Sequence, residues 1–184
     1  MRAGDAFFAS SAREIAECAA AMADRFFSGA TLLVFGSGPH ATDAQHNSVE
    51  YVHPVLPGCR ALPALSLTND VATVTGDLSG GDPDDVYERQ LSLLGRGGDI
   101  ALTLASLPLH PSALRGLAEA RRRGMLTVAL TTGPIGDGVA VDRHLHVEEA
   151  DAAVAQELHL ATYHMLWELV HIALNHRGIA ATSP

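Results

Sequence analysis

The chain has 184 residues, 47% hydrophobic and 18% charged, which is the balance of an ordered globular chain of one domain's length. A formal charge of −9 argues against a surface that coats nucleic acid, and all twelve basic residues are Arg, so no Lys can serve as a base or form a Schiff base. Cys18 and Cys59 stand alone without CxxC spacing, no apolar run approaches the ~20 residues of a membrane span, and Asp5, Arg13, Glu14 and Glu17 interrupt the N-terminal stretch where a signal peptide would be apolar. The expectation is a cytoplasmic protein with reduced thiols and with neither membrane nor nucleic-acid partners.

In chain order, residues 5 to about 28 read as an amphipathic helix, with Phe7, Phe8, Ile15, Ala19, Met22 and Phe26 near helical spacing. "TLLVFGSG" (31–38) is a buried parallel strand running into a glycine turn of the phosphate-holding type. A helix follows through Val52, where His53-Pro54 closes it. "RALPALSLT" (60–68) predicts a second strand, after which Asn69 or Asp70 caps a short helix. "GDLSGGDPDD" (76–85) reads as the most loop-like segment, and "DDVYERQLSLLG" leaves it as a helix. "DIALTLA" (99–105), "LTVALTT" (126–132) and "HLHVEEA" (144–150) complete five strands. Between them, "PSALRGLAEARRRG" (111–124) is a helix with Pro at its start and Gly at its end; "RRR" there is a solvated helix end. A long helix from about Ala152 to Asn175 finishes the chain. Strands alternating with helices predict a doubly wound, three-layer α/β/α fold around a five-stranded parallel sheet. Its ligand crevice lies where Gly36 to His40, Thr68 to Asp70 and Ala105 to His110 converge.

His46 and Glu50 stand at i and i+4 on the helix after the first strand, so they share a face. Gln156 and His164 are slightly over two turns apart on the last helix and point roughly the same way. Two imidazoles, a carboxylate and an amide oxygen suit zinc or a similar first-row ion. Spacing alone is weak support: His-x₃-Glu pairs are commonly plain helix contacts, and the chain has ten histidines.

The stretches "GSGPHATDAQHNSVE", "DDVYERQLSLLGRGGDIALTLAS", "EARRRGMLTVALTTG" and "QELHLATYH", with the region of Asp77, occur in the order found in the sugar isomerase (SIS) domain. From about Thr31 to Asn175 the chain resembles its phosphoheptose isomerase branch, an expectation of one flavodoxin-like SIS domain over 1–184, with residues 1–30 an oligomerisation helix and 31–176 the core. The resemblance implies a metal site, reported as zinc in some members, at His46, Glu50, Gln156 and His164. It also implies acid/base roles for Glu50 and His164, aldose–ketose isomerisation through an enediol, and a homotetramer with sites between subunits. A replication-initiator-associating branch resembles this chain too, but looks to lack the Glu and the final His that are present here.

The chain departs from the family at the phosphate loops. Where the family reads Gly-Asn-Gly-Gly-Ser, this sequence has Gly36-Ser37-Gly38-Pro39-His40, and Pro39 removes a backbone donor. Where the family reads Ser-Thr-Ser-Gly-Asn-Ser, the residues are Ala105-Ser106-Leu107-Pro108-Leu109-His110, with Ser106 the surviving hydroxyl. A family Arg falls at Pro54 and an Asp-Arg pair at Ala153 and Val154, while Glu148, Glu149 and Asp151 form an acidic approach. A dianion beside Leu107 and Leu109 would be desolvated without compensation.

The expected substrate is therefore a small sugar or intermediate without a terminal phosphate. Ser37, His40, Asp70, Asp77, Ser106, His110 and Gln156 are the candidate binding residues. His40 and His110 either contact the ligand or proton-transfer machinery, or fill space left by the serines; Asp70 is equally explained as a helix cap. For His144, His146, His171 and His176 a structural role is favoured. His159 is either a packed core residue or a neighbour that supports Gln156. Other readings are a metal-dependent hydrolase or lyase on the same scaffold, and a non-catalytic binding or protein-interaction module.

Overall fold

Five short strands pair into one parallel sheet in the computed structural model, which describes residues 3–136 and 138–178. The strands are β1 (Leu32–Phe35), β2 (Ala64–Ser66), β3 (Ile100–Ala105), β4 (Leu126–Thr131) and β5 (Arg143–His146), in spatial order β2-β1-β3-β4-β5. The helices are α1 (Ala3–Phe27), α2 (Pro39–Val52), α3 (Val71–Gly80), α4 (Val86–Leu94), α5 (Pro111–Arg122) and α6 (Ala152–His176), with a 3₁₀ turn at Pro83–Asp85. Among the described residues no helix is long and apolar enough to cross a membrane.

Period-two alternation along the strands builds two cores. Leu32, Val34, Leu102 and Val128 face one side and pack against α1, α2 and α6 through Met22, Tyr51 and Trp167. Leu33, Phe35 and Ala101 face the other and meet Leu91 of α4 and Leu117 of α5. Every residue of β3 and β4 is buried, because helices cover both faces of a parallel sheet. The doubly wound α/β expectation holds. The strand order reverses at β1, so the crevice opens between the carboxyl ends of β1 and β3, at Gly36 and Ser106.

Three elements differ from the sequence reading. β2 is only three residues long because Pro63 has no N–H and Leu62 donates its own to the Tyr51 carbonyl at the end of α2. β5 stops at His146, since Asp151 turns back to cap α6 by accepting from Ala153 N and Val154 N. The segment 76–80, read as loop, is helical: Asp70 accepts from Ala72 N and Thr73 N, and the Thr75 and Ser79 hydroxyls bond to carbonyls one turn back. The following turn is tied down by Arg115, which binds Asp82 at 2.7 Å and also pairs with Asp85. The buried face of α1, the predicted oligomerisation helix, packs largely against α6 within the same chain.

Gly36 is the tightest point of the β1–α2 turn. A Cβ there would stand 2.7 Å from the Leu104 carbonyl oxygen, 2.8 Å from that of His40 and 2.9 Å from the His40 Cβ. Two of these neighbours are backbone and cannot rotate away. Gly36→Ala is expected to cost at least about 2 kcal/mol, read as a lower urea midpoint at unchanged slope. An unshifted midpoint would show that the turn yields.

Candidate metal centre and the adjoining cavity

The i, i+4 spacing on α2 places His46 and Glu50 one above the other, with His46 Nε2 3.1 Å from Glu50 Oε1. His164 of α6 joins them: one donor atom from each of the three residues lies within 4.8 Å of the others. Tetrahedral ligands on bonds of ~2.1 Å stand about 3.4 Å apart, so the trio needs only small side-chain adjustments to hold an ion. The Tyr163 hydroxyl lies 2.9 Å from His46 Nδ1, which leaves Nε2 as the nitrogen facing Glu50. Burial lowers the pKa of His164, His46 adds to that, and Glu50 opposes it. The Tyr163 phenol is pushed up, by burial first and then by Asp43 and Glu50.

Gln156, expected as a fourth donor, turns its amide nitrogen to Asp43, 3.3 and 3.1 Å from the two carboxylate oxygens. Asp43 went unnoticed in the sequence, where a lone Asp inside a helix looks like any solvated position. It is 6% exposed, and its Oδ2 stands 3.2 Å from His40 Nδ1. His40 Nε2 lies 2.9 Å from Ser106 Oγ. His40 therefore sits in α2 with both nitrogens occupied, not on a half-exposed loop.

Ser37, His40, Ser106 and His110 line one cavity of about 200 Å³ together with Pro39 and Pro108. Ser37 Oγ is 3.4 Å from Ser112 Oγ and 3.5 Å from the Tyr87 hydroxyl, which donates to the Gly36 carbonyl at 2.5 Å. His110 caps α5 by accepting from Ser112 N, while its side chain stays largely exposed. No Arg lines this cavity among the described residues.

Asp70 and Asp77 are engaged elsewhere. Asp70 caps α3 and bonds the Thr73 hydroxyl, and Asp77 pairs with Arg89 at 3.0 Å. The acidic approach is partly capping chemistry, with Asp151 on α6 and Glu149 accepting from Asp151 N. His144 bonds Thr131 Oγ1 at 2.8 Å, and His171 faces the Trp167 and Arg60 carbonyls at 2.8 and 2.9 Å, both structural roles. His159 is 0% exposed, 5.6 Å ring to ring from His40, and neither of its nitrogens has a hydrogen-bond partner among the described residues.

Residues 2–132 match the family model described as the SIS domain. The phosphoheptose isomerase of Desulfovibrio desulfuricans is 36% identical over 185 residues, spanning 100% of this chain and 87% of that one. Its counterpart from Bradyrhizobium sp. (strain ORS 278) is 35% identical over 147 residues, covering 79% and 74%. The solved phosphoheptose isomerase of Francisella tularensis superposes with a TM-score of 0.83 at 28% identity, covering 91% of this chain and 90% of that chain. One from Neisseria gonorrhoeae, at 24% identity and a TM-score of 0.82 over 92% and 91%, shares the fold.

His159 supplies a stability test beside the site. Burial, reinforced by His40, lowers its pKa, while the Thr131 backbone, close by but outside hydrogen-bonding geometry, and then Asp43 oppose the shift. The unfolded chain takes up a proton there at pH about 6.5 and the folded chain only at lower pH, so stability falls as pH drops through that value. His159→Leu should flatten the decline in urea midpoint between pH 7.5 and 5.5. An equally steep decline in the variant would assign the effect to other groups, such as His144.

Proposed function

The chain belongs to the SIS domain family as a phosphoheptose-isomerase-like sugar isomerase, and on that premise we propose a zinc-type, metal-dependent aldose–ketose isomerase acting on a substrate without a terminal phosphate. The observation that carries the metal is the meeting of His46, Glu50 and His164 from two helices more than a hundred residues apart in sequence. Two imidazoles and a carboxylate fit a first-row divalent ion, and the Tyr163 hydroxyl on His46 Nδ1 is the kind of outer partner that orients a ligating ring. Gln156 would complete the set through its amide oxygen, with its amide nitrogen remaining on Asp43.

When bound, the ion would supply positive charge to the negative charge that develops on the substrate's vicinal oxygens. The protein's part is to move a proton between adjacent carbons. Glu50 already faces His46, so His164, whose pKa burial lowers, is the group assigned to take the proton α to the carbonyl and return it to the neighbouring carbon. Glu50, entering the step in its acid form, gives its proton to the carbonyl oxygen and regains one from the neighbouring hydroxyl as the enediol collapses, so the proton count is unchanged over the cycle. Ser37 and His110 are assigned to the substrate's hydroxyls in the adjoining cavity.

The case against a phosphate rests on the same cavity. Its polar lining is two serines and two histidines, and three of these four side chains already have partners within 3.2 Å or cap a helix. The amino ends of α2 and α5 meet there, and each helix end is worth about 0.3–1 kcal/mol to an anion. Taking a dianion out of water costs several kcal/mol more than that. We also assign a homotetramer with sites near subunit boundaries, since Val49, Val52, Val55, Leu56 and Leu65 leave apolar surface exposed on and around α2, on the flank that carries His46.

Protein purified without a histidine tag should carry about one zinc per chain. His164→Asn should lose it, and Tyr163→Phe should weaken it about 10-fold or more in equilibrium dialysis. Folded, metal-free protein that takes up no zinc would end the metal assignment. For the substrate, inorganic phosphate at millimolar concentration is expected to leave turnover of a non-phosphorylated aldose or ketose unchanged, and Glu50→Gln to abolish that turnover. Tight competition by sedoheptulose 7-phosphate would overturn the non-phosphorylated substrate while leaving the isomerase standing.

A further inference from the structure

Asp43, His40 and Ser106 form an unbroken chain that the isomerase reaction does not use. Asp43 Oδ2 lies 3.2 Å from His40 Nδ1, and His40 Nε2 lies 2.9 Å from Ser106 Oγ. A carboxylate only accepts, so the hydrogen of the first contact sits on Nδ1 and the Nε2 lone pair faces the serine hydroxyl. Gln156 donates to both oxygens of Asp43 and holds the carboxylate against the ring. Asp43 and His40 are each 6% exposed, whereas Ser106 is exposed at the end of β3 and opens onto the 200 Å³ cavity. A surface hydroxyl needs only water to be satisfied. A buried acid and imidazole aligned behind one instead have the relation of orienter, base and nucleophile.

Two neighbouring features define what would be attacked. Pro108 lines both this cavity and a second one of about 490 Å³, whose walls include Leu107, Leu109, Leu114, Ile135 and Val139. Pro39 at the start of α2 and His110 at the start of α5 both line the first cavity, so the field of two helix amino ends favours a developing oxyanion there.

We propose that Ser106, His40 and Asp43 are an acyl-transfer site that hydrolyses esters of apolar carboxylic acids, with the acyl chain in the groove beside Pro108. Ser106 Oγ bonds to the ester carbonyl carbon while its proton passes to His40 Nε2. The ester C–O bond then breaks, and the departing alkoxide takes that proton and leaves as the alcohol. Water attacks the acyl-serine, gives its proton to the same nitrogen, and releases the carboxylic acid as the proton returns to Ser106. Ser106 and His40 are the catalytic residues; Asp43 and Gln156 are positioning residues. The cation at His46 takes no part.

The test treats the full chain with a fluorophosphonate and, separately, with p-nitrophenyl butyrate. One phosphonyl adduct per chain on the Ser106 peptide is expected by mass spectrometry, with a stoichiometric burst of p-nitrophenolate. Ser106→Ala should abolish both, and His40→Asn or, if that variant does not fold, His40→Gln should slow labelling about 10³-fold or more. Asp43→Asn should also slow it, and Asp43→Glu should restore part of the rate. The proposal is overturned if Ser106 in the folded wild type stays unlabelled at millimolar probe, if labelling is undiminished in the His40 variants, or if Ser106→Ala hydrolyses the ester at the wild-type rate.

Discussion

The docking of α6 on α2 is the contact that brings together both the His46–Glu50–His164 trio and the Gln156–Asp43–His40 cluster. Trp167 donates its indole N–H to the Glu50 carbonyl at 2.8 Å, and Tyr163, one turn earlier, places its hydroxyl on His46 Nδ1. Both helices repeat at i, i+4 here, so one fixed register satisfies two bonds at once. Each bond contributes about 1 kcal/mol net, whereas burying a large side chain such as Trp167 or Tyr163 is worth about 1.5–3 kcal/mol. Packing holds the helices together, and the two polar contacts select how they are aligned. A slide of one turn would keep much of the apolar contact and lose the trio.

The same helix pair reaches both ends of the crevice. Near the middle of α6, Tyr163, His164 and Trp167 meet His46 and Glu50; near its start, Gln156 meets Asp43, which holds His40. Asp43 lies three residues from His40 and three from His46, so a single turn of α2 on either side leads from one polar cluster to the other. Rigid placement of a few polar groups by two long helices suits a site that must hold reacting atoms within fractions of an ångström. His159, packed beside His40, is buried with no hydrogen-bond partner among the described residues.

The turn after β1 combines a close backbone approach with few free donors. Gly36 still lets the backbone pass close under Leu104 and His40, and the helix still begins at once with Pro39. Yet Pro39 offers no N–H, and the hydroxyls of Ser37 and Ser106 lie against Ser112 and His40. What remains is a small, polar, weakly electropositive cavity opening beside an apolar groove.

Local physics wrote much of this into the sequence. Buried β3 and β4, the helices that follow them, the cap at Asp70, and the shared face of His46 and Glu50 all follow from patterns spanning one or two turns. The same patterns misjudged 76–80, which is helical behind the Asp70 cap despite two glycines, and the lengths of β2 and β5, which Pro63 and the α6 cap cut short. The amino-acid order could not indicate that Asp43 would be buried between His40 and Gln156, that Tyr163 would steady His46, or that His40 would reach a serine 66 positions away. Those pairings depend on the rigid-body placement of whole helices and strand ends relative to one another. That placement is set by summed packing over the core rather than by any residue's neighbours in the chain.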